Sequence, residues 1–375
     1  MLKEGTVYKG EGTYEYLSKE YTTTFELEQV GIKWYASGIN IPHEYFKESK
    51  PLSIKGILEI GNLPIKLIVG GQSNRRGQVL EASVLQSNIG LVSEISTVSS
   101  QLFGVYFKSQ FSFNFEDLKI QILPTQTNLS EARKAFKGNG FISKGNVIHI
   151  KGEELDLKRV NNIIGKVCVL LTSITFSNVV FGHLNINEDQ GIIIPERKMK
   201  YTSDISFSYA VMDSAPNLEN FFKEAFPKYL SLSEEYEAII FNISYALMVS
   251  SSTLLQESRM FELISYFENF AKYKNNNSPL KCLREEWIQY LDTNDFEYDL
   301  EVVKELVKLR NSLAHSAIFP KIEFSQAKHE YIVLLQKILF ISLLDILEAD
   351  VLIQYYDKDG WRDFGKKDEL KNIQM

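Results

Sequence analysis

Hydrophobic and polar residues alternate in the first half of the chain, as they do in strands with one buried face. The clearest case is the stretch in which Phe111, Phe113 and Phe115 are separated by Ser112 and Asn114. The alternation resumes at once over residues 118–122. Short alternating segments at close spacing are typical of antiparallel sheets, so the pattern predicts an antiparallel β-rich domain.

Other segments of this half are rich in residues that favour strands. Those before and after Gly61-Asn62 suit a hairpin with a tight turn at that dipeptide. One amphipathic helix is predicted over residues 129–137. We therefore expect residues 1–212 to form a β-rich domain, a sandwich or a related antiparallel fold. The further predicted strands are 22–27, 53–60, 63–69, 167–171, 174–180 and 205–212.

The pattern changes near Pro216, where Ser214 or Asn217 can cap a helix that has proline in its first turn. Helical periodicity dominates from there on. The fold class is therefore α+β: the β-rich domain, an all-α bundle over residues 213–356, and a charged, loosely held tail over 357–375. The predicted helices are 218–226, 233–247, 254–274, 280–291, 300–317 and 325–355.

The last of these helices is apolar over a wide arc. Between Tyr331 and Leu347 the hydrophobic residues cover roughly 220° of the helical wheel. A helix that packs on one side only needs a narrower stripe. The arc predicts burial on two sides, either as a helix central to the bundle or as a helix at a subunit seam.

The helix predicted over residues 300–317 carries the most distinctive polar residues. Arg310 falls near the middle of its apolar stripe, and Asn311 and His315 are neighbours on one flank because they are four residues apart. A guanidinium at a stripe position needs a partner or a substrate anion. Glu268 and Glu257 on the helix over 254–274 are the candidate partners. The stripe itself consists of Val303, Leu306, Val307, Leu313, Ala314 and Ala317.

The pattern Arg310-Asn311-x-x-x-His315 near the end of a long helix resembles the signature of HEPN domains. These domains are small helical bundles, and many of them are metal-independent ribonucleases. The stretch Arg259-x-Phe261…Glu268 resembles the helix that precedes this signature in ApeA-like abortive-infection proteins. Those proteins also join a β-rich N-terminal domain to a C-terminal HEPN domain.

The resemblance implies an endoribonuclease of abortive-infection or toxin-like anti-phage defence, with an RNA substrate and no metal or cofactor. It implies Arg310, Asn311 and His315 as catalytic residues, with Glu268 supporting Arg310. HEPN ribonucleases use a composite site across a homodimer, so a homodimer is expected. A phage-derived trigger at the β domain, which would act as the sensor, is expected as well.

The chemistry of the three residues agrees with this implication. His315 can act as general base or acid, because the ordinary pKa of imidazole, about 6.5, lies near working pH. Arg310 has planar donors that match phosphate oxygens. Asn311 can position the phosphate or fix the tautomer of His315.

Composition argues against a metal site built on cysteines and against a secreted protein. Hydrophobic residues make up 44% of the chain, and the only cysteines, Cys168 and Cys282, lack metal-ligand spacing. The first residues lack a signal-peptide core, so we expect a cytoplasmic protein without membrane contact. We expect the three histidines of the β half, His43, His149 and His183, to be ordinary surface or core side chains.

Charge counts against ribonuclease activity. From residue 215 on, the chain has 18 basic and 26 acidic residues, so general phosphate affinity is not expected there. A non-catalytic HEPN-like scaffold that dimerises, or an RNA-binding protein with a ligand-binding β domain, therefore remains as an alternative.

Overall fold

The computed structural model describes most of both halves of the chain. The chain has two compact units, Met1–Gly165 with Val180–Ser203, and Lys166–Val179 with Asp204–Met375. The described residues are 7–30, 33–40, 52–59, 63–70, 76–84, 95–105, 107, 109–124, 146–187, 191–193, 215–250, 256–275, 282–316, 326–350, 353–357 and 360–364.

The first unit begins with six strands that close into an antiparallel barrel, in which the neighbours follow the order β1-β2-β3-β6-β5-β4. Antiparallel pairing is as predicted, and the pair β4–β5 confirms the predicted hairpin. A closed barrel replaces the sandwich, because β1 pairs with β4 as well as with β2. The strands are β1 (Val7–Tyr16), β2 (Lys19–Val30), β3 (Lys33–Ser37), β4 (Leu52–Leu58), β5 (Leu63–Gly70) and β6 (Arg76–Val84).

Glycines allow the closing strands to meet. Gly12 on β1 lies directly opposite Gly56 on β4. A Cβ at Gly12 would lie 2.6 Å from the Lys55 carbonyl oxygen, and one at Gly56 would lie 2.6 Å from the Glu11 carbonyl oxygen. The ring of Phe25 fills the space that the missing side chains leave beside Gly56. The closure of the barrel therefore depends on residues that are far apart in the sequence.

A second antiparallel sheet of six strands follows, in the order β12-β11-β7-β10-β9-β8. The predicted pair of strands around residues 111–115 and 118–122 is confirmed as the hairpin β8–β9. One face of the sheet is apolar and buried, with Val98, Leu102, Ile120, Ile148 and Leu184 in the core. The strands are β7 (Thr97–Phe103), β8 (Phe111–Phe115), β9 (Leu118–Pro124), β10 (Asn146–Lys151), β11 (Val180–Ile186) and β12 (Gly191–Ile193).

Helix α1, Leu157–Thr175, occupies residues for which two strands were predicted. The strands at 167–171 and 174–180 were wrong, apart from the first residue of β11. Val160, Ile164, Val167 and Leu171 are all buried and recur at helical spacing. The continuous apolar run inside this helix resembles a buried strand when it is considered alone. The predicted helix at 129–137 and the predicted strand at 205–212 lie outside the described residues.

From residue 215 on, the described residues form six helices that confirm the predicted helical segments in type and order. Their ends differ from the predicted ones by a few residues in most cases, as is usual for helix termini. The antiparallel sheets and the helices together confirm the α+β class. The helices are α2 (Ala215–Ser231), α3 (Glu234–Ser250), α4 (Gln256–Lys274), α5 (Leu283–Thr293), α6 (Leu300–Ser316) and α7 (Gln326–Leu347).

Helix α7 packs against three other helices of this unit, α2, α3 and α4. Between Ile338 and Leu347 every residue is buried except Asp345, which is half-buried. This part of the wide apolar arc is therefore covered within the chain, as expected of a helix central to the bundle. Nearer the start of the arc, Tyr331, Val333 and Leu334 are half-buried.

The end of α7 differs from the prediction, which extended the helix to residue 355. Glu348 has a φ of 52°, and this left-handed conformation ends the helix. Two carboxylates then tie the chain to α2. Glu348 pairs with Lys228, and the Asp350 amide donates to Glu224 Oε2 at 2.7 Å. Strands β13 (Ile353–Asp357) and β14 (Gly360–Phe364) form a hairpin, so part of the predicted tail is regular structure. Among the described helices, none is long and apolar enough to cross a membrane.

Candidate functional site

Helix α6 positions the Arg-Asn-x-x-x-His motif by burying one side of the helix. Val303, Leu306, Leu309 and Leu313 are buried. Arg310 is half-buried at the edge of this stripe, whereas the helical wheel placed it near the middle. Ala314, predicted on the buried face, is exposed, because the stripe is centred closer to Leu309 than the wheel assumed.

The guanidinium of Arg310 is fixed by the carboxylate of Glu268 on α4. Arg310 Nε donates to Glu268 Oε2 at 2.9 Å, and Nη2 donates to Oε1 at 3.2 Å. The side chains are 30% and 11% exposed, respectively. This forked geometry is the strongest form of an arginine–carboxylate pair. The contact predicted from the sequence is therefore present, whereas the side chain of Glu257, the other candidate, lies outside the described residues.

Lys272 is a third member of this cluster, and the sequence analysis missed it. Its Nζ donates to Glu268 Oε1 at 2.7 Å. The signal was present in the sequence, because residues four apart on a helix are neighbours and Glu268 precedes Lys272 by four. One carboxylate thus meets two cations, and the cluster of Glu268, Lys272 and Arg310 keeps one net positive charge.

The environment of Glu268 keeps its carboxyl group ionised. Burial alone raises its pKa, but the hydrogen bonds and charges of Lys272 and Arg310 together outweigh burial, so the pKa lies below its ordinary value. The carboxylate is thus charged near neutral pH. It can hold Arg310 in one orientation through two hydrogen bonds.

Asn311 and His315 lie on the exposed flank of α6. Arg310 Nη1 donates to Asn311 Oδ1 at 3.3 Å, so the outer edge of the guanidinium is turned toward this flank. Both Asn311 and His315 are exposed and are one helical turn apart. Within the part of the chain that the structure describes, the His315 imidazole has no hydrogen bond or ion pair.

An aromatic cluster supports the helix that holds Glu268. The Phe267 ring lies 4.9 Å from Trp287 and 5.7 Å from Tyr290, measured between centroids. Tyr290 is hydrogen-bonded to Ser342 on α7. The three rings are buried and connect α4, α5 and α7. This packing limits the movement of the residue next to Glu268, and hence of the ion pair.

Arg259 and Phe261, which carry the resemblance along α4, lie at a distance from the ion pair. Nine residues separate Arg259 from Glu268, which is about 13 Å along a helix. Arg259 Nε donates to the Ser250 carbonyl at the end of α3, where a cation is favoured by the helix dipole. Phe261 is exposed. Arg259 therefore links two helices, and its contact lies outside the Arg310 cluster.

The arrangement offers a fixed guanidinium, an amide and an accessible imidazole along one helix. These groups can bind an anion and exchange a proton with it. In the described ranges, no group of three His, Cys, Asp or Glu residues could hold a metal ion. No protein-family model, curated protein or solved structure matches the chain. Membership of the HEPN class therefore remains a prediction that depends on the resemblance of residues 254–274 and 310–315.

Proposed function

We propose that this protein is a metal-independent endoribonuclease of the HEPN type, acting in abortive-infection or toxin-like defence against phage. One observation carries the proposal. Arg310 is held in a single orientation by its two hydrogen bonds to Glu268, and its Nη1 donates to Asn311 on the exposed flank that also carries His315. A fixed cation and an accessible imidazole are what cleavage of RNA without a metal requires.

In the proposed reaction, the 2′-hydroxyl oxygen of RNA attacks the adjacent phosphorus in line with the departing 5′-oxygen. The products are a 2′,3′-cyclic phosphate and a free 5′-hydroxyl. His315 removes the proton from the 2′-hydroxyl or gives one to the 5′-oxygen. Arg310 offsets the charge on the phosphate oxygens in the transition state, and Asn311 positions the phosphate.

The proposal includes a homodimer, since acid and base roles require two imidazoles and α6 supplies one. The need for two imidazoles is the argument for the dimer. Helix α7 adds none, because most of its apolar surface is covered within the chain. The β-rich unit would receive a phage-derived trigger and raise the activity of the helical unit above a basal rate, which is the rate that assays without the trigger measure.

The alternative is a non-catalytic scaffold or RNA-binding protein built on the same helical unit, with a ligand-binding β domain. The observation that favours it is the completeness of the ion pair. Glu268 satisfies the charge of Arg310, which would account for an arginine on the buried stripe without any substrate. The acidic balance from residue 215 on points the same way.

Cleavage of single-stranded RNA in the presence of EDTA separates the two functions. We expect the wild type to cut, and the variants Arg310→Lys and His315→Ala each to lose at least roughly a hundredfold in rate. Arg310→Lys keeps the charge and removes the planar fork. Arg284→Lys, an exposed position on α5, is the matched control and should cut like the wild type.

The products and the mass of the particle complete the test. A 2′,3′-cyclic phosphate end and a dimer mass by light scattering are expected. Wild-type rates in both Arg310→Lys and His315→Ala would show that this site does not cut RNA, whereas RNA left intact by the wild type would favour the scaffold. A monomer with full activity would refute the site shared between two protomers, but it would leave the proposed ribonuclease activity standing.

A further inference from the structure

The second sheet has a polar face with an unusual set of side chains. Residues directly opposite each other in a sheet share a face, so the strand register assigns them to rows. One row crosses five strands, β11, β7, β10, β9 and β8, and contains Asn185, Ser99, His149, Gln121 and Ser112 in that order. All five can form hydrogen bonds. At about 4.8 Å per strand, the row is about 19 Å long.

The next row on the same face carries the charge. It contains Thr97, Lys151, Lys119 and Asn114, with the two lysines directly opposite each other. Both lysines are exposed. Like charges in directly opposite positions destabilise a sheet, and a bound anion would remove this cost. Neither row contains a carboxylate.

The outer face of the barrel shows what an ordinary solvated face looks like in this unit. On β1 and β2, Lys9 lies opposite Glu26, and Glu11, Glu15 and Glu20 are exposed nearby. Lysine is thus mixed with carboxylates on these two strands, as solubility favours. On β4 and β5, however, Lys55 and Lys66 lie directly opposite each other just as Lys119 and Lys151 do, so a pair of lysines alone does not distinguish the second sheet. What distinguishes it is the neighbouring row of amide, hydroxyl and imidazole groups.

One buried polar atom belongs to the same row. Asn185 is 6% exposed, and its Oδ1 has no hydrogen-bond partner in the described part of the chain. A buried acceptor without a donor is costly. Because this atom is buried, it marks the end of the row and is not itself a surface contact for a ligand.

We propose that this face of the sheet, defined by the rows 185-99-149-121-112 and 97-151-119-114, binds single-stranded RNA. Lys119 and Lys151 contact phosphates, and the neutral row offers amide, hydroxyl and imidazole groups to bases and 2′-hydroxyls. The face supplies the phosphate affinity that the acidic helical half lacks. Its use in delivering RNA for cleavage rests on the proposed function, but the binding itself does not require cleavage.

The rows carry no Phe, Tyr or Trp, and the imidazole of His149 is the one ring in them, so base stacking contributes little there. Binding should therefore depend strongly on salt. Each phosphate neutralised on a single strand contributes about 0.7 to the slope of log affinity against log salt concentration, so the two lysines account for a slope of about 1.4.

The test uses the full chain and a fluorescein-labelled, single-stranded RNA of about 12 nucleotides, a length within the usual site sizes. All its 2′-hydroxyls are methylated, so it offers no nucleophile for cleavage, while its 2′-oxygens can still accept hydrogen bonds from the neutral row. Anisotropy measures the Kd over a series of salt concentrations. We expect the double variant K119Q/K151Q to bind at least roughly tenfold more weakly than wild type at low salt, with a slope lower by about 1.4. The matched control is K55Q/K66Q, since Lys55 and Lys66 are also directly opposite each other, on β4 and β5 of the barrel.

Three results would overturn the proposal: no binding by the wild type, unchanged binding by K119Q/K151Q, or equal loss in both double variants. Equal melting temperatures for the two variants exclude a folding defect. The cleavage assay is independent of this one. If K119Q/K151Q loses RNA binding but the wild type does not cut RNA, the ribonuclease proposal is refuted and the sheet face is not. If the wild type cuts RNA but K119Q/K151Q binds RNA as well as the wild type, the sheet face is refuted and the ribonuclease proposal is not.

Discussion

Replacing Glu268 by Gln tests whether the ion pair with Arg310 stabilises the folded chain or contributes no more than an ordinary surface ion pair. The substitution keeps the shape of the side chain and removes the charge that accepts three hydrogen bonds, two from Arg310 and one from Lys272. A hydrogen bond to a charged group contributes about 1.5–3 kcal/mol. Solvent screens this cluster, because Arg310 is 30% exposed and Lys272 42% exposed. We therefore count about 1.5 kcal/mol for the forked contact and about 0.5 kcal/mol for Lys272, and expect a loss of about 2 kcal/mol.

Urea unfolding of the helical unit measures this loss. The probe is the fluorescence of Trp287, which is fully buried against Phe267 and Tyr290, in a background with Trp34→Phe and Trp361→Phe. A double-mutant cycle with Arg310→Gln isolates the pair, for which we expect a coupling of about 1.5 kcal/mol. The matched control is Glu301→Gln, because Glu301 pairs with Lys304 at the surface of α6 and should contribute no more than about 0.5 kcal/mol.

A loss below about 0.5 kcal/mol for Glu268→Gln, no larger than that of the control, would refute the reasoning. Arg310 would then be held by the packing of its aliphatic stem. Glu268 would have no supporting role.

Two further predictions concern pH and the barrel. The pKa of Glu268 is lowered in the folded chain, so its contribution to stability is fully present above about pH 4.5, the ordinary value, and is lost as pH falls through the folded pKa. The difference in unfolding free energy between wild type and Glu268→Gln should therefore shrink in urea titrations below about pH 4.5, and a constant difference would contradict the ion pair. In the barrel, Gly56→Ala should destabilise by at least about 2 kcal/mol in thermal unfolding, because its Cβ would press on the Glu11 carbonyl oxygen. Gly165→Ala, where a Cβ meets no described atom within 4 Å, should instead stabilise helix α1 by about 0.5–1 kcal/mol; equal effects at the two sites would disprove the steric account.

The helical half could be predicted from the sequence because its period is long and repeated. Among the described residues from 215 on, six helices each contain several turns of periodic hydrophobic positions. Each helix could therefore be recognised from several repeats of the same pattern. The end of α7 was not predictable in the same way. It depends on the left-handed conformation of Glu348, a residue with no special preference for it, and on contacts of Glu348 and Asp350 with α2.

Helix α1 and the barrel show where local patterns fail. Within α1, residues 167–171 are all apolar, so a short window gives no period and β-branched valines favour a strand. Closure of the barrel depends on the pairing of β1 with β4, across more than 40 residues of sequence. The glycines that permit the pairing are visible in the sequence, but nothing local to them indicates which strand they face.

The candidate site was partly predictable, because its residues lie on two regular helices. The wheel correctly brought Arg310 toward the bundle, and the pairing with Glu268 followed from the cost of burying a lone cation. Lys272 was missed because a lysine one turn after a glutamate is common on solvated helices. Its importance comes from Arg310, 38 residues later, which shares the same carboxylate.

Structural pairing and phosphate binding by Arg310 do not exclude each other, as a count of donors shows. A guanidinium has five N–H groups. Glu268 takes one from Nε and one from Nη2, and Asn311 takes one from Nη1. One N–H on each terminal nitrogen is left, and both can donate to phosphate oxygens. A carboxylate that fixes the guanidinium lowers the cost of orienting the side chain when an anion binds. Glu268→Gln should therefore weaken cleavage as well as stability, whereas a lysine at position 310 could satisfy Glu268 and still have no guanidinium donors to offer.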